Sequence, residues 1–278
     1  MVVTKSPIRT VLIALVIAVA LVWTLFPLYY LFLTSVKSIS EMMERPPLLF
    51  VGRPNFGTYE QVLIKERFYS FFMNSFIIAT AATLLALVIG ALAAFAFTQW
   101  RFRGKEPLFL ASMVGRMFPP ITTLIPIYLM VKYAGLLDTH LALILIYASF
   151  QVPLVLLILR DFFSQVPKEI SECAYIDGCT PRHVFLRIVL PLAKNGIVAA
   201  GILCFVEAWN EFIFALVLTS FKAKTAPVVL ATFVENEGTL QWGSMAALGV
   251  WTVMPTLLFM LFLRKFLIRG LTLGALKG

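Results

Sequence analysis

Charge is what this chain has least of. Asp, Glu, Lys and Arg make up 13% of its 278 residues, hydrophobic residues make up 60%, and mean hydropathy is +0.92. Soluble domains carry about 25% charged residues. A soluble fold of this size cannot bury so much apolar surface, so a lipid bilayer must be its solvent. Histidine is scarcer still: His140 and His183 are too few and too separated for a metal site. The three cysteines, Cys173, Cys179 and Cys204, are six residues apart at closest, which suits neither a zinc knuckle nor a CxxC redox pair. They read as small apolar fillers. No GxxxxGK[ST] stretch occurs, which excludes nucleotide binding by that motif. Neither HExxH nor GxSxG occurs, so the chain offers no metal or nucleophile–base constellation for an intramembrane enzyme. Repeats, low-complexity tracts and soluble linkers are also missing.

Long apolar runs are there in plenty. About 20 apolar residues cross a bilayer, and six segments qualify: 11–34, 72–98, 108–131, 141–159, 197–219 and 244–263. The uncharged run Thr10–Val36 is 27 residues long. A secretory h-region has about 7–15, so this segment is expected to remain as a first transmembrane helix. The reading is therefore all-α, with six membrane helices forming a single domain over residues 1–278. Pro119, Pro120 and Pro126 should kink or interrupt the third segment. The segment from Ser35 to Phe71 is the longest outer loop, with turn signals at Glu44-Arg45-Pro46-Pro47 and Gly52-Arg53-Pro54-Asn55.

Six crossings put both termini on one side, and the basic residues say which. With the N-terminus inside, the inner segments carry 14 Lys and Arg: Lys5 and Arg9; Arg101, Arg103 and Lys105; Arg160, Lys168, Arg182, Arg187 and Lys194; Arg264, Lys265, Arg269 and Lys277. The outer segments carry 8. Both termini are thus expected in the cytoplasm. The pI of about 9.6 is explained by topology and anionic lipid, without a nucleic acid partner.

Residues 167–195, PKEISECAYIDGCTPRHVFLRIVLPLAKN, form a polar island between apolar runs. Pro167 suits the first turn of a helix. Lys168 to Asp177 reads as a short helix whose Ile170, Cys173, Ala174 and Asp177 fall at i, i+3, i+4 and i+7. Gly178 fits the left-handed residue that ends it. Thr180 can cap a second helix with Pro181 at its first position. Val184, Phe185, Ile188 and Val189 give that helix an apolar face, and Pro191 marks a break before the fifth segment. The product is a helix–glycine–helix elbow, a rigid peg for a groove on a soluble partner.

The pattern Glu172, Ala174, Gly178, Ile188, Leu190, Pro191 resembles the EAA loop of bacterial ABC importer permeases. FVEAWNEFIFAL at 205–216, the stretch from Arg116 to Pro120, Gly135 to His140, and the Gly-rich tail 270–278 resemble the smaller permease of the maltose-type carbohydrate branch. Cys173 and Cys179 stand where the family usually has Ala, and Asn195 where Pro is common. The resemblance implies a type I ABC importer permease fold with a cytoplasmic coupling helix. Glu172, Ala174, Asp177, Gly178, Ile188, Leu190 and Pro191 would couple to an ATPase. It further implies a second permease, two ATPase subunits and an extracytoplasmic solute-binding protein, in a bacterial inner membrane. The chain itself would be no enzyme and hold no cofactor; ATP and Mg would bind on the ATPase subunits. The cargo would be a sugar, or a non-sugar solute such as glycerol phosphate. A proton-coupled secondary transporter, with Glu207 or Glu211 as relay, is the competing class.

Charges at bilayer depth cost about +2.5 to +3.5 kcal/mol each on insertion scales, so they should face protein or water. Arg116 lies in the third segment and Glu207 and Glu211 in the fifth, at comparable depth. The two glutamates are four apart and should share a helix face. Two readings stand side by side. One is an Arg–Glu pair that fixes helix packing or the interface between two permeases. The other is a polar translocation path of Arg116, Glu207, Trp209, Asn210 and Glu211, with Trp209 and Phe212 offering stacking faces to a sugar.

Overall fold

The computed structural model describes residues 7–65, 67–233 and 242–274. The tail residues 275–278, Lys277 among them, and Lys5 of the loop accounting lie outside the described residues. Every described regular element is a helix. In chain order they are α1 (Pro7–Val36), α2 (Ile39–Met43), α3 (Gly57–Glu60), α4 (Phe68–Gln99), α5 (Lys105–Met117), α6 (Pro120–Tyr133) and α7 (His140–Ser164). Then come α8 (Lys168–Ile176), α9 (Pro181–Val184), α10 (Leu190–Leu192), α11 (Lys194–Trp209), α12 (Ile213–Leu218), α13 (Ala226–Thr232) and α14 (Trp242–Gly274). Wider π-type turns, Gln61–Lys65 and Phe185–Val189, follow α3 and α9.

Four helices are long and apolar enough to cross a membrane unaided: α1, α4, α7 and α14. Two bent pairs raise the number to six: α5 with α6 at 94°, and Pro181–Leu192 with α11 at 79°. The first bend is where the prolines put it. Phe118, before Pro119, is held extended at φ −72° and ψ 130°, and Pro120 opens α6 at its first turn. The fifth segment differs from the continuous helix expected over 197–219. It stops at Trp209 and restarts at Ile213. The side chain of Glu211 caps the second piece, so the chain gains a new helix start in the middle of an apolar run. The preceding break falls at Ala193 (φ −95°, ψ 16°), two residues beyond Pro191, because proline is tolerated inside the first turn of α10.

The chain forms two compact units. One comprises residues 1–69 and 232–253. Within it, Gly249 of α14 lets the Leu31 side chain approach; a Cβ there would sit 3.2 Å from Leu31 Cδ1. The loop after α1 is pinned by Lys37, whose buried ammonium donates to the Leu48 carbonyl (2.6 Å) and lies 5.0 Å from the Tyr30 ring centroid. Ser38 and Glu41 form a capping box at the start of α2. The apolar surface of α1 is almost wholly exposed in the chain alone, as a lipid-facing or partner-facing helix should be.

The second unit comprises residues 70–231 and 254–278. Its core is α7 against α11, with α4 alongside. Membrane helices gain little from the hydrophobic effect when they associate, so close backbone approach through small residues matters. Gly90 and Gly196 do this work. A Cβ at Gly90 would lie 2.6 Å from Val155 of α7, and one at Gly196 would lie 2.4 Å from the Phe162 ring. Cys204 is buried among these helices, as expected of a small filler; Cys173 is exposed instead.

Candidate functional site

Two places in the second unit gather the sequence-predicted residues. The first is an open-mouthed cavity of about 180 Å³ beside both helix breaks. Arg116 reaches it from the last turn of α5. Its Nη2 donates to both carboxylate oxygens of Glu207, at 2.9 and 3.1 Å, and its Nη1 donates to the Phe150 carbonyl of α7 at 3.0 Å. Pro153 of α7 has no N–H to bond the Ser149 carbonyl, so the backbone ladder is loosened one residue from where the guanidinium arrives. One cation thus ties three elements together.

Glu211 lines the same cavity without sharing a helix with Glu207, contrary to the simple four-residue spacing. The helix has ended, and the Glu211 carboxylate accepts from Phe214 N (2.9 Å) and Ala215 N (3.2 Å) at the start of α12. An anion at a helix N-terminus is favourable. The Tyr147 hydroxyl of α7 donates to the same carboxylate. Gln151, one turn further along α7, donates to the Cys204 carbonyl (2.9 Å), while its buried Oε1 accepts nothing from the described residues. Phe118, Phe150 and Phe214 supply aromatic walls. The cavity can therefore meet hydroxyls with a donor, two carboxylates and an open amide acceptor, and meet C–H faces with rings.

Three expected members are elsewhere: Phe212, which directly precedes α12, is not among the cavity's lining residues, nor are Trp209 and Asn210. Trp209 is 1% exposed, stacked on Phe205 at 5.8 Å and edge-on to Phe72 at 5.1 Å, so it is a core side chain and offers no face to the cavity. Asn210 donates to the Val206 carbonyl (2.7 Å) and to Thr256 (3.3 Å), closing the end of α11 outside the cavity lining. Conversely, Tyr147 and Gln151 were missed. Their signal was present: two polar residues four apart in an otherwise apolar run.

The second place is the elbow. α8 ends in a pair of reverse hydrogen bonds, Cys179 N to Ala174 O (2.9 Å) and Gly178 N to Tyr175 O (3.1 Å), with Gly178 at φ +82°. This is a Schellman stop, and it needs a residue that adopts the left-handed region without strain. Thr180 then caps α9 by accepting from His183 N (3.3 Å). The buried face of α8 is Ser171 and Ala174, with Tyr175 half-buried; Ile170, Glu172, Cys173 and Asp177 are exposed. Of the stripe Ile170, Cys173, Ala174 and Asp177, Ala174 is buried and the other three face outward, because the elbow packs through its smallest side chains. Val184, Phe185 and Val189 are buried, and Ile188 and Leu190 are packed against the same core. Pro191 is exposed on the surface. Burial of the Tyr175 ring pushes its hydroxyl pKa up.

A third cluster, at the opposite ends of these helices, holds the loops in place. Asp138, at φ +56°, accepts from the backbone N–H groups of Ser220, Phe221, Lys222 and Ala223 at 3.0–3.2 Å. Partial burial pulls its carboxyl up, and these four donors outweigh that and hold its pKa below the ordinary value. Asn74 donates to the Lys222 and Lys224 carbonyls and bonds His140 at 2.8 Å.

The family model described as binding-protein-dependent transport system inner membrane component matches residues 86–272, which include the cavity and the whole elbow. The chain belongs to this family of ABC transporter permeases. The permease is 36% identical over 261 residues to the trehalose transport system permease protein SugB of Mycobacterium tuberculosis, covering 92% of this chain and 93% of that one. It is 32% identical over 254 residues to the diacetylchitobiose uptake system permease protein DasC of Streptomyces coelicolor, covering 91% and 92%. In structure it resembles a chain from the crystal structure of a bacterial ABC transporter involved in the import of the acidic polysaccharide alginate. The TM-score is 0.80 at 21% identity, covering 94% of the permease and 98% of that chain. That likeness establishes the six-helix permease fold, and the family establishes an inner-membrane protein.

Proposed function

We propose that the permease is one half of the pore of an ATP-driven sugar importer. It would act as a single domain with both termini in the cytoplasm. The observation that carries the cargo class is agreement among relatives: those named for trehalose, diacetylchitobiose and trehalose/maltose transport each align over more than nine-tenths of the chain. The cavity supports the same reading, since hydroxyl-competent polar groups between aromatic walls suit a carbohydrate. Arg116, Glu207 and Glu211, with Tyr147 and Gln151, would line the translocation path. Glu172, Asp177 and Gly178 would meet the ATPase, while Ala174, Ile188 and Leu190 hold the elbow and Pro191 sits at its edge. ATP and Mg would be bound by two ATPase subunits, and a second permease and a solute-binding protein would complete the assembly. Closure of the ATPase pair would move the pegs and switch the pore between inward and outward access.

The test is a thermal-shift screen of the solute-binding protein that co-purifies with the permease, against disaccharides, polyols and phosphorylated glycerols. Stabilisation by a disaccharide, followed by ATP-dependent uptake of that sugar into proteoliposomes, is expected. Stabilisation by an amino acid or peptide alone overturns the sugar assignment.

A further inference from the structure

At the inner ends of the second unit's long helices lies a separate pocket of about 210 Å³. Four chain segments meet there: the end of α4, the start of α5, the end of α7 and the start of α8. Its rim carries Lys105, Arg160 and Lys168, and its walls include Phe97 and Phe163, both buried. No carboxylate is among its lining residues. The three cations are not used up by the fold. Lys105 makes one long bond, to the Trp100 carbonyl at 3.4 Å. Arg160 gives one arm to Glu106 at 2.7 Å, with its guanidinium 4.2 Å from the Phe109 ring centroid, so it is oriented and keeps further donors. Asp161, Glu169 and Glu172, the other acids on these elements, lie outside the lining.

Depth puts the pocket within reach of lipid headgroups. It is placed where α4 and α7, two membrane-crossing helices, terminate at Gln99 and Ser164. The half-exposed rings of Trp100 and Phe102 sit beside it, as aromatic residues do at headgroup level. An apolar wall below three converging cations matches a phosphate group that has an acyl–glycerol stem beneath it.

We propose that this pocket binds a phosphate oxyanion, bridged by Lys105, Arg160 and Lys168. The same chemistry is offered by an anionic phospholipid headgroup and by free phosphate. A bound phosphate would join the first residue of α8 to the ends of α5 and α7, anchoring the elbow to the membrane.

The test measures lysine acetylation by mass spectrometry on the complex purified through this chain. The complex is held in nanodiscs of phosphatidylcholine, of phosphatidylcholine with phosphatidylglycerol, or of phosphatidylcholine with inorganic phosphate. Phosphatidylglycerol should reduce labelling of Lys105 and Lys168 several-fold and leave Lys222 unchanged. In Arg160→Gln, protection at both lysines should vanish. Protection by inorganic phosphate alone supports the site and names its source as soluble. Protection by neither probe overturns it. So does protection that survives Arg160→Gln, since that is diffuse attraction to an anionic surface. If Arg160→Gln fails to assemble, Lys168→Gln read at Lys105 decides the matter on the same terms. The result is independent of the sugar screen, because neither probe is a cargo.

Discussion

At the level of single residues, Arg116 is the most consequential. It compensates Glu207 and bonds the Phe150 carbonyl of α7 at once. Arg116→Gln should therefore lower the thermal stability of the purified complex more than Arg116→Gln combined with Glu207→Gln, because the single change strands a carboxylate. The coupling in a double-mutant cycle should be roughly 0.6–2 kcal/mol, the range for polar interhelical contacts in membranes. Equal losses in single and double variants would show that the pair is not coupled. Asp138 makes a second prediction. Its pKa is held below the ordinary 3.8, so its contribution is present above that value and is lost as pH falls through the lower, folded one. Asp138→Asn keeps a residue that tolerates the left-handed backbone while removing the charge. Thermal unfolding followed from pH 7 downward should show a lower midpoint for the variant at neutral pH, with the two curves converging below the ordinary carboxylate range. A constant offset at every pH would mean that the charge is not responsible.

At the level of elements, the helix breaks shape both candidate places. Gly178→Val forces a β-branched residue to φ +82° at the Schellman stop and should leave insertion intact while abolishing sugar-stimulated ATP hydrolysis. Wild-type stimulation in that variant would disprove docking through the elbow. Gly196→Leu should block the α7–α11 contact outright, because Phe162 already occupies the space; loss of the folded complex on size-exclusion chromatography is the expected result. Much of this was readable beforehand. The apolar runs, the glycine turn, the Thr180 cap and the proline break before α6 each follow from one local rule. What escaped was non-local. Nothing near Trp209 says that Phe205 and Phe72 will bury it. The interruption at 210–212 depends on Glu211 choosing two backbone N–H groups over a place on a continuing helix. The burial of Ser171 on α8 lay outside the apolar stripe, because Ser171 is buried through small size rather than hydrophobicity.

At the level of the whole molecule, the proposed orientation is testable with impermeant maleimide. In a background lacking native cysteines, Lys222→Cys should label in intact cells. Cys173, restored alone to that background, should label only in inside-out vesicles stripped of peripheral subunits. Labelling with the sides reversed would invert the topology and with it the direction assigned to transport. Two further features bear on the complete transporter. The surface of α1 is almost entirely uncovered by its own chain. The cavity is open on one side, leaving the Arg116 and Glu207 side chains 31% and 45% exposed.

That last feature decides the fate of an orphan copy. A permease made without its companion would leave this ion pair without protein cover, and an ion pair that meets hydrocarbon is costly. Such a surface is what membrane quality-control proteases remove. The cellular amount of this chain should therefore follow the synthesis of its companion: halving the companion should halve the amount of this protein, with its messenger RNA unchanged.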